Sequence, residues 1–190
     1  MSNLSAEPRT QPASIFSKLT LVDFTDLPRV GFRGADTAIW LASLGLDLPQ
    51  QPNKAVVQQD GSLVARLSQT EYLWLAGTAD HGARVAREEA QWQQSKVANY
   101  LLPRQDSHAW LQLSGDYTDK VMAKLCGVDL RPATFLAGNI VQTSVARVSC
   151  IIINASRNEK PCLHLLFDRP SLAYFQEALE DAMEEFYKIH

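Results

Sequence analysis

Residues 112–132, "QLSGDYTDKVMAKLCGVDLRP", repeat at an offset of 81 the pattern of residues 31–49, "GFRGADTAIWLASLGLDLP". Both begin in a strand with alternating apolar residues, turn at Gly34 or Gly115, and continue with the spacing of one helix face. Asp36 and Asp116 stand where a carboxylate can cap a helix. The matched apolar positions are Val30, Phe32, Trp40, Leu41 and Leu44 in the first copy and Leu111, Leu113, Val121, Met122 and Leu125 in the second.

The same offset aligns a second block, "SLVARL" at 62–67 with "TSVARV" at 143–148, so Arg66 falls on Arg147. A further apolar run follows in each half, "EYLWLAG" at 71–77 and "CLHLLFD" at 162–168, and then an amphipathic helix. Each half therefore predicts strand–helix–strand–strand–helix.

We expect one α+β domain over residues 15–190, built from pseudo-duplicated βαββα units at about 29–93 and 110–187. Its antiparallel sheets have helices packed on them, because neither half buries its sheet face alone. Residues 1–14 are polar, contain prolines and predict a disordered or draped tail without a secretory signal.

Composition excludes several classes of function. The net charge of −3 offers no basic excess for nucleic acid, and no apolar run is long enough to span a membrane. Three cysteines without CxxC spacing fit buried free thiols in a reducing, cytoplasmic compartment. The four histidines show no metal-ligand spacing, and phosphate-binding or catalytic motifs are missing from the sequence.

A few polar residues remain as candidate ligand or interface contacts. Arg66 and Arg147, in apolar strands, face solvent or pair with a carboxylate or a ligand anion. Asp106 and His108, at a strand entrance, serve either the local turn or a site. Arg169 and Ser171 open the last helix, where an anion site and a cap formed by Asp168 or Ser171 are the alternatives. Trp92, in a polar stretch, is a candidate partner contact.

From about Arg29 to Tyr187 the sequence resembles the gamma subunit of heterotetrameric sarcosine oxidase. The stretches that carry the resemblance are "GSLVARLSQTEYLWLAG", "DSHAWLQLSG", "KLCGVDLRPATFLAGNIVQTSVARV" and "HLLFDRPSLAYFQEALEDAMEEF". The most specific positions are Asp129, Leu130, Pro132, Phe135, Gly138 and Thr143. A proline separates Arg169 from Ser171, which the family usually has adjacent.

That subunit is similar to the folate-binding domain of the glycine-cleavage T-protein, an aminomethyltransferase, and "DSHA" resembles the opening motif of the T-protein. Where the T-protein has a glycine-rich, acidic stretch, this chain reads "VSCIIINASRNEKPC", so no catalytic residue is assigned. The resemblance implies a non-catalytic subunit that assembles with alpha, beta and delta subunits. That complex demethylates sarcosine oxidatively to glycine and passes the one-carbon unit to tetrahydrofolate. FAD, FMN and NAD then reside in the partner subunits, and this chain binds no cofactor of its own.

Two other hypotheses stay open. The first is a free-standing tetrahydrofolate-binding module, a degenerate aminomethyltransferase, which requires a central pocket with convergent polar groups. The second is a homodimer of the isolated chain with an unrelated binding role, because a shared fold does not by itself establish a shared function.

Overall fold

A computed structural model describes residues 19–187 of the chain. They form two five-stranded antiparallel sheets and four α-helices. The strands are β1 (Thr20–Asp23), β2 (Arg29–Arg33), β3 (Lys54–Val57), β4 (Leu63–Arg66), β5 (Glu71–Leu75), β6 (Tyr100–Pro103), β7 (His108–Ser114), β8 (Ile140–Val145), β9 (Val148–Asn154) and β10 (Cys162–Asp168). The helices are α1 (Thr37–Ser43), α2 (Ala83–Gln91), α3 (Thr118–Leu125) and α4 (Leu172–Tyr187), and a 3-10 helix, Arg169–Ser171, precedes α4.

The two sheets have matching strand orders. The first sheet runs β3-β4-β5-β2-β6 and the second runs β8-β9-β10-β7-β1. Alternate residues of the second sheet pack on α3 and α4, while Trp110, Leu166 and Ile153 on its opposite face pack against the first sheet. The predicted α+β class, with antiparallel sheets and helices packed on them, is confirmed.

The two halves exchange their edge strands. Strand β1 precedes β2 in the chain but pairs with β7 of the second sheet, from Thr20 opposite Ser114 to Asp23 opposite Leu111. Strand β6 precedes β7 but pairs with β2 of the first sheet. Because the strand that precedes each half in the chain pairs with the sheet of the other half, the halves are interlocked through backbone pairing.

The repeated apolar positions fill the two cores. Val30 and Phe32 on β2, and Leu111 and Leu113 on β7, are all fully buried. The amphipathic helix predicted at the end of the second half is α4, whose apolar face is buried at Phe175, Leu179, Ala182 and Phe186, with Leu172 half-buried. Local periodicity therefore identified the inward faces correctly.

Each half contains one strand more than the predicted order. The additional strand of the first half is β3, and that of the second half is β9. The block at 143–148, predicted as one strand, covers the end of β8 and the turn after it, so β9 had no predicted counterpart. Strand pairing places Tyr72 opposite Arg66 and Leu163 opposite Asn154. With Phe32 equivalent to Leu113, the structural counterpart of Arg66 is Asn154 rather than Arg147. The loop before β8 is longer than its counterpart, so a constant offset fails there.

The expected helix cap at Asp36 is wrong. Its carboxylate Oδ2 accepts the backbone N–H of Ala98 at 2.8 Å, and its own N–H donates to the Ala98 carbonyl at 3.0 Å. No capping hydrogen bond joins the Asp36 side chain to α1. Asp36 therefore anchors the segment that leads into β6. That segment passes so close to the turn at Gly34 that an added Cβ there would lie 1.9 Å from the Ala98 oxygen.

All three cysteines are unpaired, with Cys126 and Cys150 buried and Cys162 half-buried. Burial raises the pKa of Cys162 to about 11, so this thiol is protonated near neutral pH. Within residues 19–187, none of the helices is long and apolar enough to cross a bilayer. The expected tail at 1–14 lies outside the described residues.

Candidate functional site

A fully buried arginine lies where the two sheets meet. Arg29, the first residue of β2, is 0% exposed. Its Nη1 donates to the carbonyls of Thr25 and Leu27, both at 2.9 Å, and to Gln105 Oε1 at 3.4 Å. Its Nη2 donates to the carbonyls of Gln105, at 3.0 Å, and His108. The guanidinium thus holds the turn between β6 and β7, which carries the chain from one sheet to the other.

Arg169 binds the same turn from the second sheet. Its Nη1 donates to the Gln105 carbonyl at 2.6 Å, and its backbone N–H donates to the Ser107 carbonyl at 3.1 Å. Asp26 lies 4.0 Å from its other terminal nitrogen and is exposed. The structure therefore brings Arg169 together with Asp106 and His108 around one turn, a grouping that the sequence did not indicate. We call residues 104–108 with Arg29 and Arg169 the arginine cluster.

Electrostatics in the arginine cluster disfavour further positive charge. Burial, and then the charges of Arg104 and Arg29, lower the pKa of His108 to about 4. Its Nδ1 lies 2.8 Å from the Ser107 hydroxyl. Burial, followed by Arg169, lowers the pKa of Arg29 to about 10, so Arg29 still carries its charge at neutral pH. His108 is therefore a neutral turn residue there.

A groove with a volume of about 470 Å³ borders the arginine cluster. It runs across the ends of β7 and β10, with Ser107, His108 and Asp168 at one side and Gln142 and Thr143 at the other. Asp106 is exposed beside it. The groove presents hydroxyl, amide and carboxylate groups at its sides, and Ile151, Leu166 and Phe167 add apolar lining, so its chemistry is mixed.

A smaller cavity, of about 240 Å³, lies between the sheets. Phe24, Trp110 and His164 form an aromatic wall, in which the indole Nε1 donates to His164 Nδ1 at 3.0 Å. Burial lowers the pKa of His164 to about 4. The neutral ring accepts at Nδ1 and so carries its proton on Nε2. Gln112 and Arg157 also line this cavity, and Arg157 is exposed.

The two arginines paired by the sequence repeat have separate surroundings. Arg66 donates to the carbonyls of Gln50 and Gln69 at 2.6 and 2.9 Å, and its guanidinium lies 5.5 Å from the centre of the Tyr72 ring. It therefore fastens two loops. Arg147 lies with Ala146 in the turn between β8 and β9, at a positive φ of 67°, and is exposed. The prediction of Arg147 within a strand is wrong, because the hairpin turns at this residue.

The remaining two candidates lie away from the groove lining. Trp92 ends α2 and is half-buried, where it packs against the core of the first sheet. Ser171 ends the 3-10 helix. Asp168 occupies the N-cap position there, but no side-chain capping hydrogen bond is made, so the alternative of a cap formed by Asp168 is wrong. Across residues 19–187, no three His, Cys, Asp or Glu side chains are grouped to hold a metal ion.

Sequence reasoning overlooked Arg29. An arginine at the start of a strand normally faces solvent, and "PRVGF" contains nothing that distinguishes this one. Its burial depends on Gln105 and His108, which lie more than 75 positions further along the chain. A local pattern therefore could not reveal it.

The whole-chain geometry matches known structures. No protein-family model and no curated protein matches the sequence. Among solved structures, a chain of the heterotetrameric sarcosine oxidase from Corynebacterium sp. U-96, in complex with pyrrole 2-carboxylate, superimposes with a TM-score of 0.71 at 23% identity. The match covers 88% of this chain and 85% of that one.

The glycine cleavage system aminomethyltransferase T from Bartonella henselae superimposes with a TM-score of 0.63 at 13% identity. This match covers 85% of the present chain but 45% of the aminomethyltransferase. The protein thus has the α+β fold common to these two proteins. The resemblance inferred from the sequence is confirmed at the level of the fold.

Proposed function

We propose that this chain is a gamma-type, non-catalytic assembly subunit of a heterotetrameric sarcosine oxidase complex, in which alpha, beta and delta subunits are its partners. The observation that carries the proposal is the extent of the likeness. The chain matches 85% of a chain from such a heterotetramer but less than half of the aminomethyltransferase. In the proposed complex, sarcosine is demethylated to glycine, the one-carbon unit passes to tetrahydrofolate, and FAD, FMN and NAD belong to the partner subunits.

The bonding of the arginines supports a scaffolding role. The guanidinium groups of Arg29 and Arg66 donate mainly to backbone carbonyls, and Arg169 donates to the Gln105 carbonyl. Such bonds fix loops and turns in place. Donors engaged in this way are not available to an anionic substrate without breaking the turn that joins the two sheets.

Co-expression with the alpha, beta and delta subunits of the same organism tests the proposal. We expect a stable stoichiometric complex by size-exclusion chromatography, with sarcosine-dependent oxygen consumption that the chain alone lacks. Leaving this chain out should reduce the yield of the assembled complex. A free monomer after co-expression, or sarcosine turnover by the purified chain alone, would refute the proposal.

A second candidate, a tetrahydrofolate-binding module, is favoured by the aromatic cavity between the sheets, because Arg157 there could face a glutamate tail. Its volume of about 240 Å³ is below the roughly 300 Å³ at which drug-sized ligand pockets begin, which weighs against a whole folate. Calorimetry with tetrahydrofolate decides between the two. Heat that is lost in Arg157→Gln but kept in Arg147→Gln would favour binding, whereas no heat and no thermal shift at millimolar ligand would remove this candidate.

A further inference from the structure

A separate apolar pocket, of about 180 Å³, opens on the second half. It lies between the start of α3, the loop at 130–137 and the ends of β9 and β10. Leu130, Pro132 and Leu163 are among its apolar lining residues, and Leu136 also lines it with 58% of its surface exposed. An exposed leucine beside an unfilled apolar pocket leaves hydrophobic surface in water that a binding partner could cover.

Comparison of the two halves explains why the pocket exists. In the first half, Arg66 reaches over the Tyr72 ring to the carbonyls of the loop that follows α1. Strand pairing makes Asn154 the counterpart of Arg66, and Leu163 the counterpart of Tyr72. Asn154 also binds the loop after its helix, through the Phe135 carbonyl at 2.6 Å. Asn154 and Leu163 have shorter side chains than Arg66 and Tyr72. Asn154 keeps the hydrogen bond to the loop, but the two residues leave open the space that the arginine and tyrosine fill in the first half.

The charges at the pocket select its occupant. Asp119 and Glu159 are the two ionisable residues among those that line it, and both are acidic. Neither carboxylate takes part in a salt bridge between residues 19 and 187. The charge of Asp119 helps to raise the pKa of nearby Arg131, but the carboxylate that pairs with Arg131 is Asp129. An apolar side chain that enters this pocket next to a lysine or arginine would bury its hydrocarbon and place its cation beside the carboxylates.

We propose that this pocket, with Leu136 at its rim, is a docking point for a partner subunit, and that it receives an apolar side chain flanked by a basic residue. The inference rests on the proposed function, because it names the surface through which the assembly subunit is held. The apolar contact supplies most of the affinity, and the two carboxylates set the preference for a basic neighbour.

Association of the full chain with its co-expressed partner subunits tests the surface. Leu136→Glu should weaken association at least tenfold, because it places a third carboxylate against the apolar contact. Glu159→Lys should weaken it several-fold and remove most of its salt dependence, because Asp119 then balances the new lysine. The control is Ile39→Glu on α1, where the isoleucine is 73% exposed in the first half, and it should stay within about twofold of wild type. An unchanged affinity for Leu136→Glu, or an equal loss for Ile39→Glu, would overturn the inference.

Peptide binding by the isolated full chain tests the pocket without the complex. The probes are N-acetyl-Phe-Lys-amide and N-acetyl-Phe-Glu-amide at millimolar concentration, with the methyl NMR signals of Leu136 and Leu163 as the readout. We expect larger shifts with the lysine peptide in the wild-type chain and the loss of this preference in Glu159→Lys, where Asp119 and the new lysine cancel. If no complex forms with the wild-type chain, the proposed function fails. The peptide preference still tests whether the pocket receives an apolar side chain beside a basic residue. Equal shifts with both peptides in the wild-type chain, or Overhauser contacts from Leu136 to residues 1–18, would overturn the inference.

Discussion

Replacing Arg29 with methionine tests the claim that the arginine cluster holds the two sheets together. The side chain is fully buried, and its guanidinium donates to the carbonyls of Thr25, Leu27, Gln105 and His108. Although burial lowers the pKa of Arg29 to about 10, the group is charged at neutral pH, so these are charge-assisted hydrogen bonds. Methionine replaces the apolar stem of the arginine as far as Nε, but it has no hydrogen to donate and no atoms in place of the terminal guanidinium.

The cost follows from the acceptors that lose a donor. The Thr25 carbonyl keeps a bond from Gln105 Nε2, and the Gln105 carbonyl keeps one from Arg169. The carbonyls of Leu27 and His108 lose the hydrogen bond that Arg29 donates, and no second side-chain donor replaces it. An unsatisfied buried acceptor costs about 1–3 kcal/mol, and relief of the buried charge offsets part of the sum. We therefore expect the free energy of unfolding to fall by about 3 kcal/mol.

Urea unfolding followed by tryptophan fluorescence measures this change. With an m-value of about 2 kcal/mol per molar urea, the midpoint should fall by about 1.5 M. The control is Arg87→Met, because Arg87 is exposed and pairs with its neighbour Glu88 at 3.0 Å, and such pairs contribute less than about 1 kcal/mol. Arg29→Lys should lie between wild type and methionine, because lysine keeps the charge but not the planar fork. If Arg29→Met unfolds at the same midpoint as Arg87→Met, the cluster contributes no net stability and our reasoning is wrong.

Three further predictions concern the fold. Gly34→Ala should lower the free energy of unfolding by more than about 3 kcal/mol or prevent folding, because the new Cβ would meet a backbone oxygen at 1.9 Å. The control Gly127→Ala, with open space around the glycine, should change the free energy of unfolding in urea by less than about 1 kcal/mol. Burial lowers the pKa of His164 from 6.5 to about 4, so the unfolded chain binds the proton more tightly and stability is lost as the pH falls from 6.5 toward 4. The free energy of unfolding should therefore fall between pH 7 and pH 5 by about 2 kcal/mol less in His164→Asn than in wild type. Phe175→Ala should cost about 3–5 kcal/mol in thermal or urea unfolding, since the ring is fully buried and stacked, and a loss below about 1 kcal/mol would contradict the packing described.

The candidate site was only partly predictable. Asp106, His108 and Arg169 were predicted as candidates, and they meet at one turn because each lies at a strand end on the same edge of the second sheet. Arg66 and Arg147 were matched by a constant offset, which a longer loop and a hairpin turn invalidate. Asn154, the true counterpart of Arg66, has no resemblance to it in side-chain chemistry. Its equivalence is visible only in the strand pairing.

The sequence by itself determined the repeat, the α+β class and the inward face of most elements. These properties depend on periods of two and 3.6 residues and on turn residues, all of which act over short distances along the chain. Only the tertiary structure decided that β1 and β6 exchange sheets, that Arg29 is buried between them, and that the second half keeps an open pocket. The physical reason is that these features arise from backbone pairing and packing between residues that are distant along the chain, where the free energy of a contact depends on the partner and not on the local pattern.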